Sequence, residues 1–213
     1  MKKLFLLFFS VFLTGGFLKA QDPLYPSWTV SEVATANTAA NAGFLTDEEK
    51  RVIYLMNLAR LDGKKFCDTY VKGYFIGPVN SYRHTLYADL AKIKDLPMLV
   101  PVEQVCHAAK LHAVECGKLG VTGHKSANGH TQVERMESFG FSCAYSAENC
   151  SYGYSDALGV VMQLLLDNGV PILIHRRNIL NPRYKVVGVS IQPHKAFGFN
   201  CVIDFGDFSA GKE

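Results

Sequence analysis

The sequence predicts an α+β fold, because a helical pattern occupies most of the chain and a strand pattern follows it. Two late segments are rich in Val, Ile and Phe, Tyr184–Gln192 and Ala196–Phe205, and Pro193-His-Lys195 between them fits the turn of a β-hairpin. We expect His194, in that turn, to face solvent. At 213 residues the chain is long enough for one domain with a sizeable core.

The helical part begins at Thr46, where Thr46-Asp-Glu-Glu49 forms a capping box ahead of apolar residues at helical spacing. This first helix should end near Asp62-Gly63. Two further helical segments are predicted over Lys65–Tyr74 and His84–Lys94, with a polar break at Gly77-Pro-Val-Asn80 between them.

The next long helix is predicted to begin at Pro101, because a proline in the first turn loses no hydrogen bond there. Its residues at helical spacing form a buried stripe of Val105, Ala108, Ala109, His112 and Cys116. His112 therefore lies on an apolar face. We interpret it as a hydrogen-bonded core residue rather than a ligand, because that is the commoner role of a histidine in such a position.

Shorter elements follow: a helix over Thr131–Ser138, a strand over Tyr145–Asn149, and a helix that Ser155 can cap. The buried stripe of this last helix continues to Asp167. The Asp167 carboxylate is therefore expected on an apolar face, and a capping or solvent-facing aspartate is the alternative.

The N-terminus is typical of a secretory signal peptide. Lys2 and Lys3 precede an apolar run, Leu4–Leu13, and Leu18-Lys-Ala20 ends in a small residue. We therefore divide the chain into a signal peptide (1–20), a flexible leader rich in Ala, Asn, Ser and Thr (21–43), and one domain (44–213). The mature protein is expected to be secreted or periplasmic, with no transmembrane segment after the signal peptide is removed.

The charge of the mature protein argues against nucleic acid as a partner. The full chain carries a formal net charge of +3, and three of its lysines lie in the signal peptide. Removing these leaves 22 − 3 = 19 basic residues against 19 acidic residues. A neutral chain lacks the basic patch that phosphate binding requires.

The six cysteines leave two alternatives open. In an exported chain, an even number permits three disulfides, with fifteen pairings that the sequence does not separate. Buried free thiols are the alternative. No Cys-x-x-Cys occurs, so a zinc knuckle is not indicated. Cys106 and Cys116 are ten residues apart on one predicted helix, too far to form a disulfide with each other there.

Two histidines and two acids stand at the edges of apolar segments: His124, Glu148, Asp167 and His175. A lone charge is costly to bury, so such side chains need one another or a cation, and we interpret them as one site. Imidazole and carboxylate donors suit zinc, manganese or copper. The spacing is loose, however, and nothing like the His-Glu-x-x-His of metalloproteases is present.

A serine nucleophile is not indicated. Ser126 is two residues from His124 and Ser146 is two residues before Glu148, but no Gly-x-Ser-x-Gly elbow accompanies either serine. Turn or capping roles are the simpler interpretation for both. His130, beside a glycine, is likewise expected to be a loop residue.

Six short motifs occur in an order that resembles a known family: Met56-Asn-Leu-Ala-Arg60, His124-x-Ser-x-Asn-Gly-x-Thr, Arg135-Met, Glu148-Asn149, His175-Arg-x-Asn-Ile-Leu-Asn-Pro and Val187-Gly-Val. They are similar to the bacterial branch of the CAP superfamily, which joins cysteine-rich secretory proteins, antigen 5 and the pathogenesis-related proteins of plants. The resemblance covers roughly Phe44 to Phe208.

The resemblance implies a three-layer α-β-α sandwich around a small, mainly antiparallel sheet. It also implies a cleft with two histidines and two acids that binds zinc or another divalent cation in some members. His124, Glu148 and His175 match the first histidine, first acid and second histidine. Asp167 falls where the family commonly has Glu, so its carboxylate reaches one methylene less far.

Three functions are compatible with this pattern. The first is an extracellular or periplasmic binding module whose cleft recognises a lipid, a peptide or a cell-surface partner. The second is a metal-dependent hydrolase, such as a peptidase, in which the ion activates water. The third is a structural secreted domain without a ligand. The sequence carries no activated nucleophile and no compact metalloprotease motif, which favours the first.

Overall fold

The computed structural model describes residues 27–208, which form an α-β-α sandwich. The predicted signal peptide (1–20) and the first residues of the predicted leader lie outside the described residues. Among residues 27–208, no helix has the length and apolar character needed to cross a membrane. The prediction of an α+β fold with a mainly antiparallel sheet is confirmed.

The helical elements occupy both sides of the sheet. In chain order they are α1 (Val30–Ala36), α2 (Asp47–Leu61), α3 (Gly63–Phe66), a π-helical turn (Cys67–Val71), α4 (Lys72–Tyr74), α5 (Ser81–Leu90), α6 (Glu103–Leu119), α7 (Gln132–Ser138), α8 (Ala157–Leu166) and α9 (Ile174–Ile179).

The sheet has four strands in the order β1-β3-β4-β2. They are β1 (Val100–Pro101), β2 (Ser146–Tyr152), β3 (Val186–His194) and β4 (Gly198–Gly206). β3 and β4 form the expected antiparallel hairpin, and β2 pairs antiparallel with the other side of β4. The short β1 is parallel to β3. The edge strand β2 is the strand that carries Glu148.

The two faces of the sheet are buried against different helices. Val187 and Val189 of β3 lie in the larger hydrophobic core, which α2 and α8 also contribute to. Val186, one residue earlier, packs instead with Val105 and Ala108 of α6. Successive residues of a strand point to opposite faces, so this alternation separates an α6–α7 layer from the layer that contains α2, α8 and α9.

Local capping signals define three helix starts. Thr46 and Glu49 form the predicted capping box of α2, with the Glu49 backbone N–H donating to Thr46 Oγ1. The same reciprocal arrangement opens α1 at Thr29 and α7 at Thr131. Each box satisfies backbone N–H groups that the first turn of a helix leaves unpaired. The predicted Ser155 cap of α8 is wrong, because Asp156 accepts the N–H of Gly159 there.

Two other local predictions differ from the structure. Pro101 belongs to β1, and α6 begins two residues later at Glu103. Proline has no N–H but keeps its carbonyl, which an edge strand tolerates. His194 is not a solvent-facing turn residue, because it ends β3 with 3% exposure. Its Nε2 lies 2.9 Å from the Val121 carbonyl oxygen, and that bond draws the hairpin end onto the loop after α6.

The prediction of a flexible leader is wrong for residues 27–43. α1 forms within this segment, and Trp28, Ala36 and Ala39 are buried in the main core. The Trp28 indole N–H donates to Thr69 Oγ1 at 3.2 Å, which ties the segment to the π-helical turn. Small side chains here allow close packing rather than motion.

All six cysteines are free thiols in the structure. Cys67, Cys106, Cys116 and Cys201 are buried, whereas Cys143 and Cys150 are partly exposed. The sequence left open three disulfides or free thiols, and the structure has free thiols. Burial raises the pKa of Cys106 to about 12, so this thiol stays protonated in the core.

Candidate functional site

Glu148 lies in the middle of β2 with a side chain that is 3% exposed. One carboxylate oxygen, Oε2, accepts a hydrogen bond from the fully buried Arg135 of α7, and Oε1 lies 2.7 Å from His124 Nδ1. Burial alone would raise the pKa of Glu148, but the His124 hydrogen bond and the Arg135 charge outweigh burial and hold this pKa below its usual range. Glu148 is therefore an ionised carboxylate held between a cation and an imidazole.

His124 lies in the loop between α6 and α7, with 57% of its side chain exposed. Arg135 fixes this loop by donating from Nη1 to the carbonyl oxygens of His124 at 3.0 Å and His130 at 3.3 Å. The hydrogen bond to Glu148 raises the pKa of His124 above its ordinary value. A single buried guanidinium thus positions both members of the His124–Glu148 pair.

Asp167 ends α8 in a left-handed conformation with φ of 55°. Its side chain is 1% exposed, and Oδ1 lies 2.7 Å from His175 Nδ1. Oδ2 accepts the backbone N–H groups of His175 at 2.9 Å and Arg176 at 3.3 Å. The predicted burial of Asp167 is confirmed, but the residue caps the end of the helix and closes a turn onto the start of α9.

The start of α9 is also held by β2. Asn149 donates from Nδ2 to the His175 carbonyl oxygen at 3.0 Å, and Asn178 donates to Asn149 Oδ1 at 2.8 Å. Glu148 and Asn149 are adjacent on the strand, so their side chains point to opposite faces of the sheet. β2 is therefore bonded to both pairs, through Glu148 to the His124 ring and through Asn149 to the His175 carbonyl oxygen.

Both histidines have the same tautomer, as deduced from their partners. An ionised carboxylate only accepts hydrogen bonds, so Nδ1 of each ring carries the proton that Glu148 or Asp167 accepts. The other nitrogen, Nε2, is then left with a lone pair when the ring is neutral. A carboxylate at Nδ1 orients an imidazole and increases its basicity towards a metal at Nε2.

Asp167 and His175 line a cleft of about 380 Å³. The remaining lining residues combine aromatic, aliphatic and polar side chains: Tyr74, Phe75, Cys150, Tyr154, Gln163, Leu164, Leu166, Asn168 and Val170. Cys150 connects this cleft to the first pair, because its Sγ lies 3.8 Å from His124 Nδ1. The structure thus joins the four predicted residues into two hydrogen-bonded pairs, with Cys150 beside both.

Residues outside the four predicted ones also contribute to this region. Asp204 of β4 is opposite Glu148 in the strand register and is fully buried. Burial, and then the neighbouring Glu148 carboxylate, raise the pKa of Asp204 well above its usual range. In addition, His112, Glu148 and Cys150 each have a potential ligand atom within 4.8 Å of the others. The sequence offered one sign of Asp204: an acidic residue between two apolar ones, Ile203 and Phe205, within a predicted strand.

Within the described part of the chain, neither Ser126 nor Ser146 has a hydrogen bond to a histidine side chain. Ser126 participates in a turn, with its backbone N–H bonded to the His130 carbonyl oxygen and its own carbonyl bonded to the Gly129 N–H. Ser146 begins β2. The expected turn role of Ser126 is confirmed by these backbone bonds.

Comparison of the chain with known proteins identifies a family. The family model described as "Cysteine-rich secretory protein family", or CAP, matches residues 76–205. No curated protein matches the chain.

Two solved structures are similar over most of the described residues. One is an outer surface protein of Borrelia burgdorferi, with 18% identity over 62% of this chain and 97% of that chain, and a TM-score of 0.46. The other is an extracellular protein containing an SCP domain from Bacillus anthracis strain Ames, with 19% identity over 68% of this chain and a TM-score of 0.46. The match covers 50% of the Bacillus chain. The family match spans more than half of the sequence, and the chain therefore belongs to the CAP, or cysteine-rich secretory protein, family.

Proposed function

We propose that this protein is an exported binding module whose cleft holds a divalent metal ion through Nε2 of His124 and His175. The observation that carries the proposal is the pairing of each ring: both Nδ1 atoms lie 2.7 Å from a buried carboxylate. Such pairing directs the remaining nitrogen outward and makes it a better donor for zinc or another divalent ion.

In this proposal Glu148 and Asp167 act mainly by orienting the imidazoles. Each carboxylate already accepts additional hydrogen bonds, Glu148 from Arg135 and Asp167 from the backbone of α9. A bound cation would also be stabilised by their negative charges, which lie one imidazole ring away. Two imidazoles, each hydrogen-bonded to a carboxylate, are suitable ligands for zinc. The proposal therefore keeps all four residues in the metal site, with the histidines as ligands and the acids as their hydrogen-bond partners.

The lining of the cleft supports a ligand with both apolar and polar parts. Tyr74, Phe75 and Tyr154 offer aromatic surface, while Gln163 and Asn168 offer amide groups for hydrogen bonding. Ligand pockets of this kind use apolar walls for affinity and a few polar groups for orientation. A lipid, a peptide or a cell-surface partner remains the proposed class of ligand.

A metal-dependent hydrolase is the second candidate, and one observation favours it. The His124 side chain is 57% exposed, so an ion held there would be open to water. A bound ion with an open position can polarise a water molecule for attack on a peptide or ester.

The test measures zinc binding by isothermal titration calorimetry and by metal analysis after dialysis. His124→Ala and His175→Ala should each weaken binding by at least about tenfold, as expected for loss of a donor. His130→Ala is the matched control, because His130 lies in the same loop and is exposed. Binding that survives both substitutions would refute the proposal.

A peptide and ester substrate screen of the zinc-loaded protein then separates the two functions. Turnover that is abolished both by a chelator and by His124→Ala would establish the hydrolase. Zinc binding without turnover would support the binding module. If the protein bound neither zinc nor a ligand, the third function, a structural secreted domain, would be favoured.

Export is also part of the proposal and rests on the pattern of Met1–Ala20. Sequencing the N-terminus of the protein from an envelope or supernatant fraction should give Gln21 as the first residue. A mature N-terminus at Met1 would contradict the signal peptide.

A further inference from the structure

We propose that His112, Glu148 and Cys150 form a second, inner metal site that binds a thiophilic ion such as Zn²⁺. The site lies between α6 and β2, on the side of the sheet opposite Asn149, and it goes beyond the cleft site in using a thiolate and a buried imidazole. Glu148 is the one residue that the two sites share. The metal donors otherwise differ, His112 and Cys150 here against His124 and His175 in the cleft, so the two proposals can fail independently.

The first argument is the geometry of the three donors. One ligand atom of each residue lies within 4.8 Å of the other two, and His112 Nε2 is 4.0 Å from Glu148 Oε1. Zinc bonds of about 2.0 Å to N or O and 2.3 Å to S, in a tetrahedron, separate ligand atoms by about 3.3–3.8 Å. At separations of up to 4.8 Å, the atoms of each pair thus need to approach by up to about 1.5 Å.

The second argument is a pair of buried oxygens that lack partners. Asp204 is fully buried, lies opposite Glu148 in the sheet, and neither of its carboxylate oxygens has a hydrogen-bond partner among the described residues. Glu115 Oε2 is also buried, has no hydrogen-bond partner within residues 27–208, and lies 3.9 Å from His112 Nδ1. Buried polar oxygens without partners are costly, and a cation beside Glu148 offsets part of that cost.

The protons can be accounted for at each donor. His112 Nε2 lies 2.9 Å from the Gly123 carbonyl oxygen, which only accepts, so Nε2 carries the ring proton without metal. When Nε2 binds the ion, this proton moves to Nδ1, where Glu115 Oε2 and Cys116 Sγ are the neighbouring acceptors. The Cys150 S–H bond breaks, the sulfur keeps the electron pair for the metal bond, and the proton is released to solvent.

The donor chemistry selects the ion. A thiolate with an imidazole and one carboxylate oxygen favours Zn²⁺ over Mg²⁺ or Ca²⁺, which prefer oxygen ligands only. His124 Nδ1 lies 3.8 Å from Cys150 Sγ, and 57% of the His124 side chain is exposed, so the cluster lies close to the protein surface. Cys150 lines the cleft and is partly exposed.

The test uses Co²⁺ as a spectroscopic substitute for Zn²⁺ in the reduced full-length protein. Co²⁺ should produce a near-ultraviolet thiolate-to-cobalt charge-transfer band at one equivalent per chain. Cys150→Ser should abolish that band and weaken Zn²⁺ binding at this site by at least about tenfold. Cys201→Ser is the matched control and should keep the band, because Cys201 faces the other core.

His175→Ala separates this proposal from the cleft site. A thiolate band that persists in His175→Ala supports the inner site even if the cleft binds nothing. Co²⁺ binding without a thiolate band in the unaltered protein overturns the inner site and leaves the cleft proposal standing. A band that survives Cys150→Ser but disappears in Cys116→Ser also overturns it.

Alkylation of the unaltered protein tests the inner site without depending on whether a variant folds. Zn²⁺ should slow the alkylation of Cys150 by iodoacetamide by at least about tenfold, because a metal-bound thiolate is a poorer nucleophile and is shielded. Cys143, also partly exposed, is the internal control in the same peptide map. Equal alkylation of Cys150 with and without Zn²⁺ would refute the site.

Discussion

Asp167 contacts His175 through both of its carboxylate oxygens. Oδ1 lies 2.7 Å from the ring Nδ1, and Oδ2 accepts the backbone N–H of the same residue at 2.9 Å. One side chain therefore fixes both the direction of the imidazole and the start of α9. The residue adopts φ of 55°, a conformation that Asp and Asn tolerate better than other side chains.

Asp167→Asn is expected to weaken zinc binding about 10- to 100-fold, as the loss of a ligand's carboxylate partner does. The amide oxygen can still accept the backbone N–H groups of His175 and Arg176, but the side chain brings no negative charge to the imidazole. The free energy of unfolding should change by about 1 kcal/mol or less, because the backbone conformation is retained. Titration calorimetry and urea denaturation measure the two quantities.

Asp95→Asn is the matched control for this substitution. Asp95 also has a positive φ, 51°, but it is exposed and distant in sequence from both pairs. It should leave zinc affinity unchanged. Equal affinities for Asp167→Asn and the unaltered protein would mean that Asp167 has only a structural role.

The sequence predicted the members of the two pairs but not their surroundings. His124, Glu148, Asp167 and His175 stand out because charged or imidazole side chains at the edges of apolar segments require partners. Asp204 and His112 did not stand out as neighbours of Glu148. Their proximity depends on the β2–β4 register and on the packing of α6 on the sheet, which no local pattern encodes.

The same distinction applies to the fold. The capping box at Thr46 is local and was predicted from four residues. The leader was misjudged, because its small residues are buried by contacts with segments far along the chain. Asn57 of α2, for example, donates to the carbonyl oxygens of Ala36 and Leu99, 21 and 42 residues away. Composition alone does not reveal such long-range bonds.

Arg60 provides a test of this long-range bonding. It is fully buried, and its guanidinium makes five hydrogen bonds to the carbonyl oxygens of Pro97, Ile179, Asn181 and Tyr184. Arg60→Lys leaves at most three donors, without the planar fork, so buried carbonyl groups lose partners. The free energy of unfolding should fall by about 3 kcal/mol or more, measured by urea denaturation.

Arg177→Lys is the control, because Arg177 is exposed on α9. It should change the free energy of unfolding by about 0.5 kcal/mol or less, as surface substitutions do. If both variants lost the same stability, the Arg60 bonds would not be the source.

Gly188 tests the packing of α6 on the sheet. A Cβ at this position of β3 would lie 2.3 Å from the backbone carbon of Val105, which cannot give way without moving the helix. Gly188→Ala should therefore destabilise the fold by about 3 kcal/mol, the upper part of the range for overpacking. Thermal unfolding measures the loss.

Gly43→Ala is the matched control, since nothing lies within 4 Å of a Cβ at that position. This substitution should be neutral or stabilise by about 0.5 kcal/mol, because alanine reduces the entropy of the unfolded chain. A Gly188→Ala variant as stable as Gly43→Ala would contradict the close approach of α6 to β3.

The ion pair between Glu32 and Lys65 predicts a pH dependence of stability. Lys65 Nζ lies 2.7 Å and 2.8 Å from the two Glu32 oxygens, and this hydrogen bond is the main cause that lowers the pKa of Glu32 from 4.5 to about 2. The folded-state pKa lies below the ordinary value, so the ionised form stabilises the fold. That contribution is fully present above pH 4.5 and is lost as the pH falls towards 2.

Glu32→Gln should therefore destabilise the protein by about 0.5–1 kcal/mol near neutral pH, the range for an ion pair near the protein surface whose side chains are partly exposed. The difference from the unaltered protein should shrink as the pH falls from 4.5 to 2 and vanish only below pH 2, where Glu32 is protonated in both the folded and the unfolded state. Glu137→Gln, on the exposed side of α7, should show no such pH-dependent difference. Urea denaturation at several pH values measures the free energy of unfolding of all three proteins. If Glu32→Gln remained equally destabilised at low pH, the lost stability would come from the α1 capping box rather than from the charge.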